Sequence, residues 1–195
     1  MKRRKGSEVK VKHVSLLTSS SFILLTFNVC CILFTANCFA EEWIKTYETQ
    51  YATIYYSTDS DLNSFTRDIG RGLQFFSEGQ GKNPMLVKNR VDGMVDRVSQ
   101  ILDMYPPNLH FNIYIYPAYR ELELKYLSMG NFGKSPIAFY SHKTKTIYVS
   151  LTDIADGVLA HEISHAVINF FFAVPPPARM QEILAQYVDR HLWGE

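Results

Sequence analysis

A helix-length stretch late in the chain is apolar almost all round, yet it carries His161-Glu162-Ile163-Ser164-His165 at its centre. Its other members are Val158, Leu159, Ala160, Ala166, Val167, Ile168, Phe170, Phe171 and Phe172. A helix that is apolar on every side is a buried helix. Burying two imidazoles and a carboxylate costs on the order of several kcal/mol unless something compensates. A metal ion would compensate. Two histidines four residues apart lie about 40° apart around a helix, so both rings can reach one ion. The glutamate between them can touch a water on that ion without binding the metal. A metal held this way makes water more acidic and polarises a carbonyl, and the carboxylate then accepts and returns the proton. At average composition a chain of this length carries H-E-x-x-H by chance about once in a hundred or less.

Two histidines do not complete a catalytic site, which usually takes three protein ligands and water. A histidine six residues after His165, preceded by a glycine at the third, would be one solution. Those positions hold Phe171 and Ile168. His191 and Glu182 qualify by residue type, and both fall on a final predicted helix from about 178 to 191.

The segment Gln181-Glu182-Ile183-Leu184-Ala185-Gln186-Tyr187, following HExxH, resembles the second motif of the gluzincin zinc peptidases. The nearest likeness is to the small peptidase MA-like domains of bacterial proteins. The likeness covers about residues 109–190, and the family's frequent Asn-Glu-Gly is Gln181-Glu182-Ile183 here. The resemblance implies a zinc ion (Zn2+) held by His161, His165 and Glu182, with Glu162 as general base, and a small zincin-like fold. Helical geometry supports Glu182 separately. Gln186 and Asp189 lie within about 60° of it, whereas His191 falls on the opposite side. Gln186 or Asp189 is therefore the expected partner for a ligand histidine. Zincins commonly hold an extended peptide on an edge strand, for which residues 146–151 are the candidate. Tyr187, Tyr148, Tyr140 and His142 are candidates for stabilising an oxyanion. No exopeptidase Gly-x-Met-Glu-Asn motif is present, which favours an endopeptidase acting on a peptide or protein. Only thirteen residues follow Glu182, so the alternative is a zincin-like binding or structural module with little or no turnover.

Composition sets the compartment. Lys2, Arg3, Arg4, Lys5, Lys10 and Lys12 precede a charge-free run, residues 14–40, that ends before Glu41-Glu42. A basic start, an apolar centre and a small residue at Ala40 make a secretory signal, with an uncleaved membrane anchor as the alternative. Export to the periplasm or exterior follows. Removing that segment takes away six of 20 basic residues, one of 19 acidic ones and all three cysteines, leaving net charge −4 over residues 41–195. Disulfides and cysteine nucleophiles are thereby excluded from the exported part. A chain with 14% aromatic and 20% charged residues is not disordered, and its net charge of +1 disfavours nucleic acid as a partner.

The remaining 41–195 is expected to form one α+β domain with a mixed or antiparallel sheet packed on helices. The pattern predicts one or two strands over 43–57, a helix from 59 to about 78 and a turn at 79–84. A helix over 85–105, a strand over 109–116 and a helix over 117–128 follow. A hairpin of 136–141 and 146–151 comes next. The motif helix, capped by Thr152 or Asp153, runs to about 172, and few parallel crossovers are expected.

Overall fold

The computed structural model describes residues 44–69 and 84–194, so the predicted signal segment, the later half of the helix expected up to residue 78 and the turn at 79–83 lie outside the described residues. Two strands come first, β1 (Lys45–Glu48) and β2 (Ala52–Tyr56). Thr49 closes the turn between them, its hydroxyl accepting from the main-chain N–H of Tyr51 and Ala52. Helix α1 (Asp59–Asp68) starts in a capping box in which Thr58 and Asp61 satisfy each other's main-chain N–H. Helix α2 (Pro84–Leu102) begins on a proline, whose fixed φ suits a first helical position. It ends three residues before the expected end at 105, because Asp103 already turns left-handed with φ 51.

Strand β3 (Phe111–Tyr116) alternates strictly, burying Phe111, Ile113 and Ile115 on one face. Helix α3 (Tyr119–Ser128) follows, then β4 (Ala138–Ser141) and β5 (Thr146–Ser150). The last two helices are α4 (Asp156–Phe171) and α5 (Ala178–His191). The result is α+β, a five-stranded mixed sheet in the order β1-β2-β3-β5-β4. Two of its four pairings, β2 with β3 and β3 with β5, are parallel, more crossover than the sequence pattern suggested. The helix-side face carries Ala52, Ile54, Ile113, Ile147 and Val149, which pack with α1, α2 and α4 in one core that also takes in Val188 of α5. The opposite face carries an aromatic row. Tyr55 stacks on Tyr114 at 4.3 Å, Phe139 stacks on Tyr148 at 5.0 Å, and Lys125 of α3 lies over Tyr148.

Two polar contacts lock the helical layer. Asp92 of α2 is buried and accepts from the main-chain N–H of Gln50 and Tyr51, docking the first turn of the sheet. Arg97, also on α2, donates to the carbonyls of His191 and Leu192 and so holds the end of α5, where carbonyls lack helical partners. Neither Thr152 nor Asp153 caps α4. The N-cap is Ala155, which offers no side-chain bond, and the Thr152 hydroxyl instead meets that of Ser150. Among the described residues, no helix is long and apolar enough to cross a membrane.

Candidate metal centre

Helix α4 buries Leu159, Ala160, Ile163, Ala166, Val167 and Ile168, and this fixes its rotation against the sheet. His161 and His165 then share one flank, with ring centroids 5.1 Å apart. Val174-Pro175-Pro176-Pro177 cannot continue the helix, and the chain returns as α5 running antiparallel to α4. The return brings Glu182 to the pair. Its Oε2 lies 3.3 Å from His161 Nε2 and its Oε1 lies 3.6 Å from His165 Nε2. One donor atom from each of the three side chains falls within 4.8 Å of the others. Ligands about 2.0–2.2 Å from a tetrahedral zinc sit about 3.3–3.6 Å from one another, so the two imidazole–carboxylate separations and the two-imidazole, one-carboxylate donor set fit such an ion.

A second ring of side chains fixes the donors. His161 Nδ1 is 3.0 Å from Asp189 Oδ2, which leaves Nε2 facing Glu182. Gln181 hydrogen-bonds the His165 ring. Its amide oxygen also takes the Asn169 side-chain N–H at 3.0 Å, and its own N–H donates to the Pro176 carbonyl at 2.7 Å. Asn169 further donates to the carbonyl of His165. One histidine is thus held by a carboxylate and the other by an amide tied to the proline connector. Gln181 and Asn169 were missed from sequence. Asn169 had a signal, since 161, 165 and 169 follow the i, i+4, i+8 spacing of one helix face.

Glu162 is buried on the sheet side of α4, and a main-chain hydrogen bond from Tyr140 reaches its carboxylate. Burial pushes its pKa up to about 7 from an ordinary 4.5, against the pull of His161 and of the Tyr140 N–H, with Glu182 and Asp189 adding to the rise. Burial pulls the His161 imidazole down. The Asp189 hydrogen bond and the charges of Glu162, Asp189 and Glu182 outweigh it, and the net shift is upward. For His165, burial and the neighbouring His161 carry the net shift downward against Glu182 and Gln181. Three carboxylates converge on two imidazoles here, a surplus of negative charge that a divalent cation would balance.

A cavity of about 480 Å³ opens over these residues, lined also by Pro136, Tyr140 and His142. Strand β4 forms its wall. The expected peptide-binding edge, residues 146–151, is not an edge, because β5 lies between β3 and β4. Among the described residues the edge strand on this side of the sheet is β4. Ser150 N–H donates to Ile137 O, so Ile137, Phe139 and Ser141 bond inward to β5, and Ala138 and Tyr140 turn their main-chain groups outward. Of the oxyanion candidates, His142 and Tyr140 line the cavity. Tyr148 belongs to the aromatic row on the far face of the sheet. Tyr187 packs tilted against His191 at 4.1 Å, about 140° around α5 from Glu182. His191 bonds back to the Tyr187 carbonyl and does not join the cluster. Gln186 is exposed and makes none of the hydrogen bonds to the histidine rings; that place belongs to Asp189. No protein-family model, no curated protein and no solved structure matches the chain.

Proposed function

We propose that the chain is a zinc-dependent peptide hydrolase of gluzincin type, exported by its N-terminal segment. One observation carries this reading: the three donors of His161, His165 and Glu182 converge beside the buried carboxylate of Glu162, against a free strand edge. When bound, zinc supplies Lewis acidity to a peptide carbonyl and acidity to water. The chain's own groups do the rest. Ala138 offers its main-chain groups, and Tyr140 its carbonyl, to an extended peptide. Glu162, with a pKa raised to about 7, accepts the proton of the attacking water and returns it to the departing amine. The test is cleavage of a quenched-fluorescent peptide library by the purified chain with one equivalent of zinc, and its loss after chelation. A zinc-loaded protein that cleaves nothing refutes the hydrolase reading.

Two side chains have specific expected roles. Asp189 acts through His161, orienting the ring and raising its basicity. Asp189→Ala is expected to weaken zinc binding about 10- to 100-fold, read by competition with a chromophoric chelator. The Tyr140 hydroxyl is buried without a hydrogen-bond partner among the described residues. Burial raises its pKa to about 12, so it stays protonated as a donor. As the oxyanion stabiliser it makes Tyr140→Phe lower kcat about 100-fold. The melting temperature should hold or rise, since a buried hydroxyl without a partner destabilises the fold.

A further inference from the structure

A second cavity, of about 670 Å³, lies past the Pro136 end of β4 and shares Pro136 with the cavity over the metal donors. Tyr119, Pro136 and Ile137 give it apolar walls, and Lys134, Thr152 and Asp153 stand exposed at its rim. The wall is braced, because the Tyr119 hydroxyl donates to the Ser135 carbonyl at 2.6 Å and the Lys134 ammonium sits 6.0 Å from the Tyr119 ring. Lys134 and Asp153 carry opposite charges, so neither sign of side chain is selected. An apolar side chain gains by leaving water for the Tyr119, Pro136 and Ile137 surfaces.

We infer that this cavity is a specificity pocket for one large apolar side chain, aromatic or long aliphatic, of a peptide laid along β4. The inference rests on the peptide-binding reading of the cleft. Strand geometry sets the distance. Pro136 lies four residues from Tyr140 and two before β4 begins, at most roughly 13 Å at strand rise, so the side chain that enters belongs to a residue up to about four positions from the bond at the donors. A pocket this far from the reacting bond selects sequence without touching the chemistry.

The test reads binding, so it does not depend on turnover. The zinc-loaded Glu162→Gln chain is titrated with fluorescein-labelled alanine-based decapeptides, each carrying one phenylalanine at a different position, and followed by anisotropy. One phenylalanine position is expected to bind about tenfold more tightly than the rest. Asp153→Trp, which fills the cavity from its rim, should erase that preference while zinc content and melting temperature stay at wild-type values. Lys134→Trp, from the opposite rim, serves where Asp153→Trp does not fold. Equal affinity at every position, a preference that survives both fillings, or no binding by any peptide overturns the inference. Cleavage by the unmutated chain is scored separately by mass spectrometry. A phenylalanine preference without cleavage sinks the hydrolase reading and leaves the pocket standing.

Discussion

Replacing Glu162 by Gln is expected to lower kcat for peptide hydrolysis by about 100- to 10,000-fold while leaving zinc stoichiometry unchanged. The substitution keeps size and shape and removes only the capacity to accept a proton. Glu162 lies outside the donor set formed by His161, His165 and Glu182, so the ion stays. The fold stays too. The amide oxygen can still take the Tyr140 main-chain N–H, and a neutral side chain suits a site whose burial already disfavours the carboxylate. Elemental analysis beside a peptide-cleavage assay checks both halves. A binding module predicts a different result, with Glu162→Gln indistinguishable from wild type in every assay. Loss of zinc together with loss of cleavage would mean that Glu162 holds the ion, against the geometry described above.

The second large effect concerns the ion. His161→Ala, or chelation of the unmutated chain, is expected to remove zinc and lower the melting temperature by about 10 °C. A ligand at a thousand times its dissociation constant stabilises the folded state by about 4 kcal/mol, and each kcal/mol moves the midpoint of a domain this size by about 2–4 °C. Differential scanning calorimetry with and without added zinc measures this directly. The effect carries a pH signature. In the metal-free protein Glu162 keeps its proton up to about 7, whereas the unfolded chain releases it near 4.5. The folded state therefore binds more protons between those values, and Glu162's contribution to stability falls as the pH rises through them. His161, shifted upward, acts in the same sense, and His165, shifted downward, opposes it. Zinc competes with protons for the imidazoles, so its stabilisation grows from about pH 5 to about pH 8. A zinc-induced shift equal at both values would refute a site built on these groups.

Much of this was legible in the sequence, and the limits have physical causes. The last helix, expected at about 178–191, is Ala178–His191, because a run of prolines marks its start and its periodicity is clean. The angular relation of Glu182 to Asp189 was also readable, since neighbours on one helix follow from spacing alone. The same reasoning places Tyr187 away from the donors, and strand alternation places Tyr148 opposite Ile147 and Val149. Both residues were proposed for their phenol groups rather than their positions. What spacing could not reveal is order across the sheet. Residues 146–151 precede the motif helix, but β3 pairs with β5 and leaves β4 outermost. Strand order is set by long-range contacts, which local pattern does not encode. The cap of α4 failed for a related reason. Thr152 and Asp153 are good capping types, but the helix starts at Asp156 with Ala155 before it, and Thr152 is engaged with Ser150.

The three donor residues, with Asp189 and the Gln181–Asn169 pair, all come from one helical hairpin spanning residues 161–189, whereas the main-chain N–H that meets Glu162 comes from β4. In the proposed reading the groups that would hold an ion are local to the hairpin, whereas the acidity of Glu162 is set jointly by its burial, by His161, Glu182 and Asp189 of the hairpin and by the Tyr140 N–H of β4. An alteration in the outermost strand would shift the acidity of Glu162 while leaving His161, His165 and Glu182 in place. An alteration at His161 or Glu182 would change both at once, so the two traits separate only through the strand.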